Sequence, residues 1–355
     1  MEDRYSRQTS LKEFGPEGQS KLINSKVLVV GLGGLGIPIL QYLNAMGVGM
    51  LGLMDQDVVE LHNLQRQVLY TEKDLGRLKL EVAHEKLSVQ NSQTVFGLHD
   101  TFLTRDNALD TIKDYDVVVD ATDNFPTRYL INDACVILNK PFVYGALHGF
   151  EGHVSVFNHE NGPTYRCLYP DMPTPNEVPN CNENGVMGVL PGIIGTLQAL
   201  ETIKLISGVG EILSGSLLIY DGLSQRTTKM KFKPQLSNTK ITELKETYQT
   251  DSCEIVAEVS VETFLELRES KTPFTLLDVR TKGEFDRGHL QEAIHLPLNT
   301  LQLPKQLSKS HHDIYIVCQS GKRSAIATKQ LQMDYPELKF YNILGGMNKL
   351  MTLSS

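Results

Sequence analysis

The sequence predicts two α/β domains, of which the first is built on a doubly wound, mostly parallel Rossmann-like sheet and the second is smaller. Apolar runs rich in β-branched residues, typical of strands covered on both faces, occur at 26–31, 51–55, 116–122 and 141–146. Segments with helical spacing separate these runs. This βαβ alternation indicates a parallel sheet with helices on both faces.

A polar stretch without a convincing strand follows the first pattern, and a second βα pattern begins after it. Strands are predicted at 274–280, 314–319 and 340–344, with helices over 261–270 and 324–333. The expected boundaries are residues 1–235 for the first domain, 236–254 for a linker and 255–355 for the second domain.

Composition narrows the class of protein. The chain has 355 residues, 41% of them hydrophobic, and a net charge of -8 without a long basic run, so we expect neither nucleic-acid nor membrane binding. The polar N-terminus and the absence of an apolar run near the ~18 residues of a spanning helix predict a cytoplasmic protein. Five cysteines spread along the chain argue against a disulfide framework.

The stretch VLVVGLGGLG (27–36) joins the first strand to a helix through a glycine-rich turn. Gly31, Gly33 and Gly36 have G-x-G-x-x-G spacing, which places backbone N–H groups and a helix N-terminus against a phosphate. Asp55 ends the second strand, near the position at which an acid binds a ribose hydroxyl. On these residues alone NAD and ATP fit equally, so an NAD-dependent oxidoreductase is one interpretation.

Cations close to that acid favour ATP. NLQRQ (63–67) and Lys79 supply two cations and three amides, more than a pyrophosphate bridge usually recruits, and nucleotidyl transfer needs such charge around its phosphates. Asp123, in VVVDATDN (117–124), follows a buried strand, where it could hold Mg²⁺ or orient an attacking carboxylate. Asp123 is also a candidate N-cap for the helix that follows.

A longer series of motifs carries a family resemblance. The series comprises RYSRQ (4–8), VVGLGGLG (29–36), GVGMLGLMDQDVVELHNLQRQ (47–67), GRLKLE (76–81), DATDN (120–124), YRCLYP (165–170) and GVMGVLPGIIGTLQALETIKL (185–205). Over about the first 230 residues the chain resembles the MoeB/ThiF/HesA branch of the ubiquitin-activating-enzyme superfamily. The resemblance implies an adenylyltransferase that uses Mg-ATP to activate the C-terminal Gly-Gly carboxylate of a small ubiquitin-like sulfur-carrier protein.

The resemblance also implies roles for individual residues. The expected nucleotide-binding residues are Gly33, Gly34, Asp55, Asp57, Asn63, Arg66, Gln67, Lys79, Asp123 and Asn124. Asp123 is expected to hold the Mg²⁺ ion, with Arg66 and Lys79 acting on the phosphates. Arg7 resembles an arginine that reaches into the neighbouring subunit's site, which implies a homodimer with two composite sites.

Two cysteine positions differ in what they predict. Many relatives bind a structural zinc through two C-x-x-C pairs, but this chain has Thr164 three residues before Cys167 and no cysteine between Cys181 and Cys253, so we expect no zinc and an ordinary buried thiol at Cys167. Cys181 falls in a crossover segment where relatives carry a cysteine linked to thioester or acyl-disulfide transfer. A reactive thiol and a bystander are equally compatible with its polar, proline-rich surroundings.

The second domain contains a candidate nucleophile. IVCQSGKRSAIA (316–327) puts Cys318 after an apolar strand and before a helix, in a loop whose N–H groups and cations favour a thiolate. With LLDVRTKGEFDRGHLQEAIHLPL (276–298) and NILGGMNKL (342–350), this set resembles a rhodanese domain over about 255–355. The resemblance implies a persulfide on Cys318, steadied by Arg323 and the loop amides, whereas Asp278 and Arg280 are expected to maintain the fold nearby.

Together the two sites predict that a carrier's carboxylate is adenylated and that the Cys318 persulfide then supplies sulfur for a thiocarboxylate. The expected partners are the Gly-Gly carrier, a sulfur donor such as a cysteine desulfurase, and a second copy of the chain. The pathway stays open between molybdopterin, thiamin, tRNA thiolation and others. The rivals are the NAD-dependent oxidoreductase, a binding scaffold without turnover, and an adenylating relative acting on a non-protein acceptor such as an RNA base.

Overall fold

The computed structural model describes residues 4–173, 185–248, 257–270, 272–304, 307 and 312–353. The chain divides into two compact units, Met1–Thr250 and Asp251–Ser355. Each unit has its own sheet and its own hydrophobic clusters.

The first unit is built on an eight-stranded sheet in the order β3-β2-β1-β4-β5-β6-β7-β8. The strands are β1 Lys26–Val30, β2 Met50–Met54, β3 Val95–His99, β4 Val117–Asp120, β5 Phe142–His148, β6 Glu151–Phe157, β7 Ser216–Asp221 and β8 Arg226–Lys231. The first five pair in parallel and the last three extend the sheet in antiparallel fashion. The predicted doubly wound, mostly parallel fold is confirmed.

Helices cover this sheet. They are α1 Ser6–Thr9, α2 Gly15–Ile23, α3 Gly36–Ala45, α4 Lys79–Gln90, α5 Arg105–Ile112, α6 Phe125–Ile137, α7 Tyr165–Leu168 and α8 Val189–Ser207. All four residues of β4 are buried, as the continuous apolar run predicted. The central strands therefore end at a carboxyl edge where only the connecting turns reach solvent.

The long helix α8 packs against α3, β5 and β6. By length and composition alone it could cross a membrane, yet half of its apolar window is buried inside the first unit. Gln198 donates from Nε2 to the carbonyl of Asp120 at 2.7 Å, and Glu201 accepts from the Leu213 N–H at 2.9 Å. Such buried polar contacts to neighbouring segments are those of a core helix in a folded domain.

The second unit has a five-stranded parallel sheet in the order β11-β10-β12-β13-β9. Its elements are β9 Glu258–Val259, α9 Val261–Glu269, β10 Thr275–Asp278, α10 Lys282–Arg287, β11 Ala293–His295, β12 Ile314–Val317, α11 Lys322–Asp334, β13 Phe340–Ile343 and α12 Gly346–Leu353. The smaller α/β domain predicted from the sequence is confirmed. The short strands β9 and β11 were not predicted.

The segment 236–248, placed in the linker by its composition, packs on the first unit. Tyr248 is buried in the hydrophobic cluster of α6 and β5, and its hydroxyl donates to Asp133 Oδ2 at 2.8 Å. Arg166 binds the same carboxylate through Nε and Nη2 at 2.7 and 2.8 Å. Through this three-residue network the segment 236–248 is bound to α6. Its polar composition alone did not indicate this contact.

We expect Tyr248→Phe to lower the free energy of unfolding of the first unit by about 1.5–3 kcal/mol, because it removes one hydrogen bond to a buried charged group. Differential scanning calorimetry of the full chain measures the loss. Tyr42→Phe is the control, since Tyr42 is exposed and its change should stay within about 0.5 kcal/mol. Equal effects of the two substitutions would contradict the assignment.

Candidate active sites

The glycine turn after β1 depends on close approach between backbone segments. Gly31 has φ 98°, and a Cβ there would lie 2.8 Å from the Ala121 carbonyl oxygen. A Cβ on Gly36 would lie 1.9 Å from the Gly31 oxygen. Only glycine fits at these two positions, so the turn brings the N-terminus of α3 directly beside the loop that follows β4.

The other two glycines of the turn face the loop over 61–67. A Cβ on Gly33 would lie 3.6 Å from Gln67 Nε2, and one on Gly34 would lie 3.3 Å from Arg66 Cγ and 3.0 Å from Pro191 Cβ. Gln67 is almost fully buried, and its Oε1 has no hydrogen-bond partner among the described residues. The Arg66 side chain and the Gln67 Nε2 donor lie beside the two glycines here, and a cationic side chain and N–H donors suit a nucleotide phosphate group.

Asp55 fastens the turn to the end of β2. Its Oδ2 accepts from the Leu32 N–H at 2.7 Å and its Oδ1 accepts from the Asp57 N–H at 2.8 Å. Tyr70 holds the turn from the other side, donating to the Leu32 carbonyl at 3.0 Å. A carboxylate has about four lone-pair sites, so Asp55 can accept a further hydrogen bond from a ribose hydroxyl.

Lys79 begins α4 and is buried, although it carries a charge. Its Nζ lies 3.0 Å from Asp57 Oδ2, and its backbone N–H donates to the Asp57 carbonyl at 2.9 Å. Asn63 is also buried and accepts the Glu60 N–H at 3.1 Å, while Arg66 Nη1 donates to the His62 carbonyl at 3.1 Å. The predicted phosphate-binding cations are thus held by local contacts in this protein.

The loop after β4 differs from the expectation in one respect. Asn124, not Asp123, is the N-cap of α6, and its Oδ1 accepts the Thr127 N–H at 2.9 Å. The N-cap role suggested for Asp123 was therefore wrong, because the helix begins one residue later than that role requires. Asp123 is exposed at the carboxyl edge of the sheet. Asp123 follows Ala121, whose carbonyl Gly31 approaches closely, by two residues.

Asp120 is a buried acid at the last position of β4. Its Oδ1 accepts from the Thr122 N–H at 3.0 Å and from Thr122 Oγ1 at 2.7 Å. Burial raises the pKa of Asp120, and the nearby charge of Asp123 acts in the same direction. This direction favours the neutral form of Asp120.

Two supporting residues escaped the sequence analysis. Tyr70 braces the glycine turn, and Gln198 of α8 reaches the Asp120 carbonyl across β5. A Cβ on Gly145 would lie 2.1 Å from Gln198 Oε1, so the glycine leaves room for that amide. An isolated glycine inside a predicted strand signals such a close approach, but it does not say which side chain approaches.

Arg7 lies far from the glycine turn of its own chain. Tyr5 is buried and accepts from Asn91 Nδ2 at 3.1 Å, and Gln8 Nε2 donates to the Met46 carbonyl at 3.0 Å, which fixes α1 at the C-terminal end of α3. The ten residues of α3 separate the two ends by about 15 Å. Arg7 itself is exposed.

Hydrogen bonds join the two segments that the zinc expectation concerns. The Gln235 N–H donates to Cys167 Sγ at 3.2 Å, the Thr164 N–H donates to the same sulfur at 3.4 Å, and Thr164 Oγ1 donates to the Asn238 carbonyl at 3.0 Å. In the part of the chain that the structure describes, no group of three or more His, Cys, Asp or Glu side chains could hold a metal ion. The absence of zinc stays a prediction. Cys181 lies outside the described residues.

The loop from Cys318 to Arg323 connects β12 to α11 in the second unit. Cys318 is fully buried, and its Sγ accepts the Gly321 N–H at 3.2 Å at the N-terminus of α11. A Cβ on Gly346 would lie 2.3 Å from the Cys318 carbonyl oxygen, which instead accepts the Met347 N–H at 2.8 Å. Gly346, the first residue of α12, therefore allows the start of this helix to contact the backbone of the cysteine loop.

Ion pairs surround this loop. Arg323 binds Glu284 through both terminal nitrogens, at 2.8 and 2.6 Å, and these hydrogen bonds hold the pKa of Glu284 far below its ordinary range. Glu284 raises the pKa of Arg323, and so, to a smaller extent, does Cys318. Arg323 thus interacts with a carboxylate as well as with the Cys318 sulfur, where the sequence suggested a guanidinium acting on the sulfur alone.

A second ion pair lies beneath the loop. Asp278 and Arg280 are buried and pair at 2.7 Å, and Arg280 Nη1 donates to Gln319 Oε1 at 3.0 Å. Gln319 in turn donates to Asn348 Oδ1 at 2.6 Å. These contacts couple the ends of β10 and β12 to α12, in keeping with the structural role expected for Asp278 and Arg280.

Comparison with known proteins gives a consistent family assignment. The model of the ThiF family matches residues 5–241, and the model of the rhodanese-like domain matches residues 260–352. The adenylyltransferase and sulfurtransferase MOCS3 of Aedes aegypti is 40% identical over 97% of this chain and 85% of its own length. The protein of the same name from Drosophila sechellia is 40% identical over 97% of this chain and 82% of its own length.

Solved structures show the same fold. E. coli MccB, determined with ATP, superposes with a TM-score of 0.59 and 23% identity over 66% of this chain and 73% of its own length. PaaA gives a TM-score of 0.56 and 22% identity over 65% of this chain and 74% of its own length.

We expect Glu284→Gln to destabilise the second unit by about 1 kcal/mol at pH 7, because one partner of a partly exposed bidentate pair is lost. The lowered pKa of Glu284 means that its stabilising effect is present above the unfolded-state pKa, about 4.3, and is lost as the pH falls below it. Calorimetry of the wild type and of Glu284→Gln between pH 7 and pH 3 should show that their difference in unfolding free energy becomes smaller as the pH falls.

Glu262→Gln is the matched control, because its partner Lys349 lies at 2.9 Å with both side chains about half exposed. That change should cost less than about 0.5 kcal/mol. A Glu284→Gln protein as stable as the control at pH 7 would show that the Arg323 pair does not hold the loop.

Proposed function

Since the chain belongs to the ThiF family and continues into a rhodanese-like domain, we propose that it is an ATP-dependent adenylyltransferase that activates a sulfur-carrier protein and then transfers sulfur to it. The observation that carries this proposal is the presence of both sites in one chain, with the relatives named adenylyltransferase and sulfurtransferase aligned over 97% of it.

The first site suits attack by a carboxylate on the α-phosphate of ATP. The acyl oxygen forms a bond to phosphorus, the bond to the β-phosphate bridging oxygen breaks, and pyrophosphate leaves with the electron pair. Arg66 and Lys79 offset the charge that develops, while Gly33, Gly34 and Gln67 supply space and polar contacts for the phosphates. Asp55 is assigned to the ribose, and Asn63 to the triphosphate beside Arg66 and Lys79. No general base is needed, because a carboxylate is already ionised.

Entry of ATP requires a local exchange of partners. Lys79 is paired with Asp57, so a triphosphate has to draw the ammonium from that carboxylate. Asp123, exposed at the sheet edge, is the residue that we assign to the Mg²⁺ ion, and Mg²⁺ would neutralise phosphate charge there. Asn124 supports Asp123 by fixing the start of α6.

The acceptor that we propose is a ubiquitin-like carrier ending in Gly-Gly. A chain terminus of two glycines has no side chains to exclude from the crowded turn over 31–36, and its carboxylate is the group to be adenylated. The carrier decides whether the product serves molybdopterin, thiamin, tRNA thiolation or another route. An RNA-base acceptor is the second candidate, and the rhodanese-like domain favours a sulfur carrier over it.

The second site provides the sulfur. A donor such as a cysteine desulfurase places a sulfane sulfur on Cys318, and the outer sulfur of this persulfide attacks the acyl-adenylate with loss of AMP. Release of the thiocarboxylate from the resulting acyl disulfide requires attack by a second thiol on Cys318 Sγ, which leaves a disulfide to be reduced. Cys181 is this chain's candidate for that thiol. Cys135, Cys167 and Cys318 are free thiols, which supports a reducing, cytoplasmic location.

A homodimer completes the first site in this proposal. Arg7 is exposed about one helix length away from its own glycine turn, which supports a role in the site of a neighbouring molecule. Two chains related by a two-fold axis would exchange Arg7 side chains and form two composite sites.

The central test separates the two activities. Asp123→Asn should lower ATP–pyrophosphate exchange at least about 100-fold, because the carboxylate that would hold Mg²⁺ at the reacting phosphates is lost. Cys318→Ala should leave exchange unchanged and abolish thiocarboxylate formation. Each Gly-Gly-ending ubiquitin-like protein of the same cell is supplied as acceptor and weighed by mass spectrometry for added AMP or sulfur. Absence of exchange with every acceptor, or loss of exchange in Cys318→Ala, would refute the proposal.

A mixing experiment tests the composite site. Arg7→Ala and Asp123→Ala, each weakly active alone, should regain about a quarter of wild-type exchange when co-expressed with different tags, because half of the random dimers contain one intact site out of two. Asp123→Ala mixed with the double variant is the control and should regain nothing. A mixture no more active than its components would place Arg7 in its own chain's site.

A further inference from the structure

A buried hydroxyl group lies beside the reactive sulfur of the second unit. Ser324 is the residue after the Cys318–Arg323 loop, and it has no exposed surface. Its Oγ lies 3.4 Å from Cys318 Sγ and 3.1 Å from the Gly321 carbonyl oxygen. Ser324 therefore touches the atom that forms and breaks bonds during sulfur transfer.

The two contacts compete for one proton. A serine hydroxyl has a single O–H donor and two acceptor sites, so Ser324 can donate either to the Gly321 carbonyl or to the sulfur. The Gly321 carbonyl does not depend on it, because that oxygen also accepts the Ala325 N–H at 3.1 Å. The hydroxyl can rotate toward Sγ without leaving a buried carbonyl unpaired.

Donation to the sulfur is useful only when the sulfur is negative. With a neutral thiol, the S–H is a weak donor and can point to Ser324 Oγ while the O–H binds Gly321. With a thiolate, the hydroxyl and the Gly321 N–H, at 3.2 Å, both donate to Sγ. Charge-assisted hydrogen bonds of this kind are about twice as strong as neutral ones.

We propose that Ser324 is a catalytic residue of sulfur transfer, whose hydroxyl turns from the Gly321 carbonyl to Cys318 Sγ whenever that sulfur carries the negative charge. This inference rests on the sulfurtransferase function proposed above for the same site. Arg323 binds Glu284 through both terminal nitrogens, whereas Ser324 supplies a separate, neutral donor directly to Cys318 Sγ.

The hydroxyl acts in both half-reactions. In loading, Cys318 Sγ⁻ attacks the outer sulfur of thiosulfate, a new S–S bond forms, and sulfite leaves with the electron pair of the broken bond. In unloading to cyanide, the carbon attacks the outer sulfur, thiocyanate leaves, and the electron pair of the S–S bond returns to Sγ. Ser324 stabilises the sulfur as nucleophile in the first step and as leaving group in the second.

Other charged groups around the sulfur stay constant in the test. Arg323 on α11 faces Cys318 and is paired with Glu284 on α10. The buried Asp278 and Arg280 pair reaches the loop through Gln319 and has no net charge. Changing Ser324 removes a donor without altering any charge, so a shift in behaviour reports on the hydroxyl itself.

The experiment compares Ser324→Ala, Ser324→Thr and Thr328→Val in the full chain. Ser324→Ala removes the donor with almost no change in volume, and Ser324→Thr restores a hydroxyl. Thr328→Val is the control for loss of a buried hydroxyl on the same helix, since Thr328 Oγ1 donates only to the Ser324 carbonyl at 2.8 Å and does not contact the sulfur. Calorimetry confirms that each variant is folded.

Two readouts are followed with thiosulfate as donor and cyanide as acceptor. Ser324→Ala should lower the rate of thiocyanate formation about tenfold, and the pH midpoint of Cys318 alkylation by iodoacetamide should rise by about one unit. Ser324→Thr should recover most of the thiocyanate rate and of the wild-type alkylation midpoint. The thiocyanate rate of Thr328→Val should stay within about twofold of wild type. ATP–pyrophosphate exchange should be unchanged in all three proteins.

Wild-type rates and an unshifted alkylation midpoint in Ser324→Ala would overturn the inference. If Ser324→Thr formed thiocyanate as slowly as Ser324→Ala and neither protein had a shifted alkylation midpoint, Ser324 would be a packing residue. That result would also overturn the inference. If the wild type itself forms no thiocyanate, the proposed sulfurtransferase function fails for this donor, and the alkylation midpoint alone then decides whether Ser324 stabilises the thiolate.

Discussion

The close approach of two backbone segments at the carboxyl edge of the first sheet is the constraint on which the adenylation site depends. Gly31 lies against the Ala121 carbonyl and Gly36 lies against Gly31. Any side chain at these positions would separate the glycine turn from the loop that carries Asp123. The helix proposed to bind phosphate and the acid proposed to bind magnesium come together because two adjacent parallel strands end at this edge.

The second site applies the same principle with different chemistry. A parallel strand ends at Cys318, the chain turns through Gly321 with φ 88°, and a helix begins whose N-terminus faces the sulfur. Because Gly346 has no Cβ, the start of α12 can contact the backbone of Cys318. In both units a strand runs through a glycine-containing turn into a helix, and the N-terminus of such a helix favours a negative group, a phosphate in the proposed first site and the Cys318 sulfur in the second.

Charged groups at both sites are already paired in the described structure. Lys79 is held by Asp57 and Arg323 by Glu284. Pairing lowers the cost of burying these cations and fixes their positions before a ligand arrives. It also requires the ligand to compete for them, which a triphosphate with several charges can do better than a monoanion. Ser324 adds a neutral donor at the one atom that changes charge during sulfur transfer.

The sequence by itself determined the central strands and the two strand-to-helix turns, because apolar strand patterns, glycine spacing and a cysteine before a helix are local features. The tertiary structure decided which side chains meet. Arg323 binds Glu284, 39 residues away, and Tyr248 binds Asp133, 115 residues away, through contacts that depend on how helices pack on the sheet. The sequence could not decide that Asn124 and not Asp123 is the N-cap of α6, because both residue types cap helices well. Local patterns fix conformation within a few residues, whereas pairing across the chain is set by packing of the whole domain.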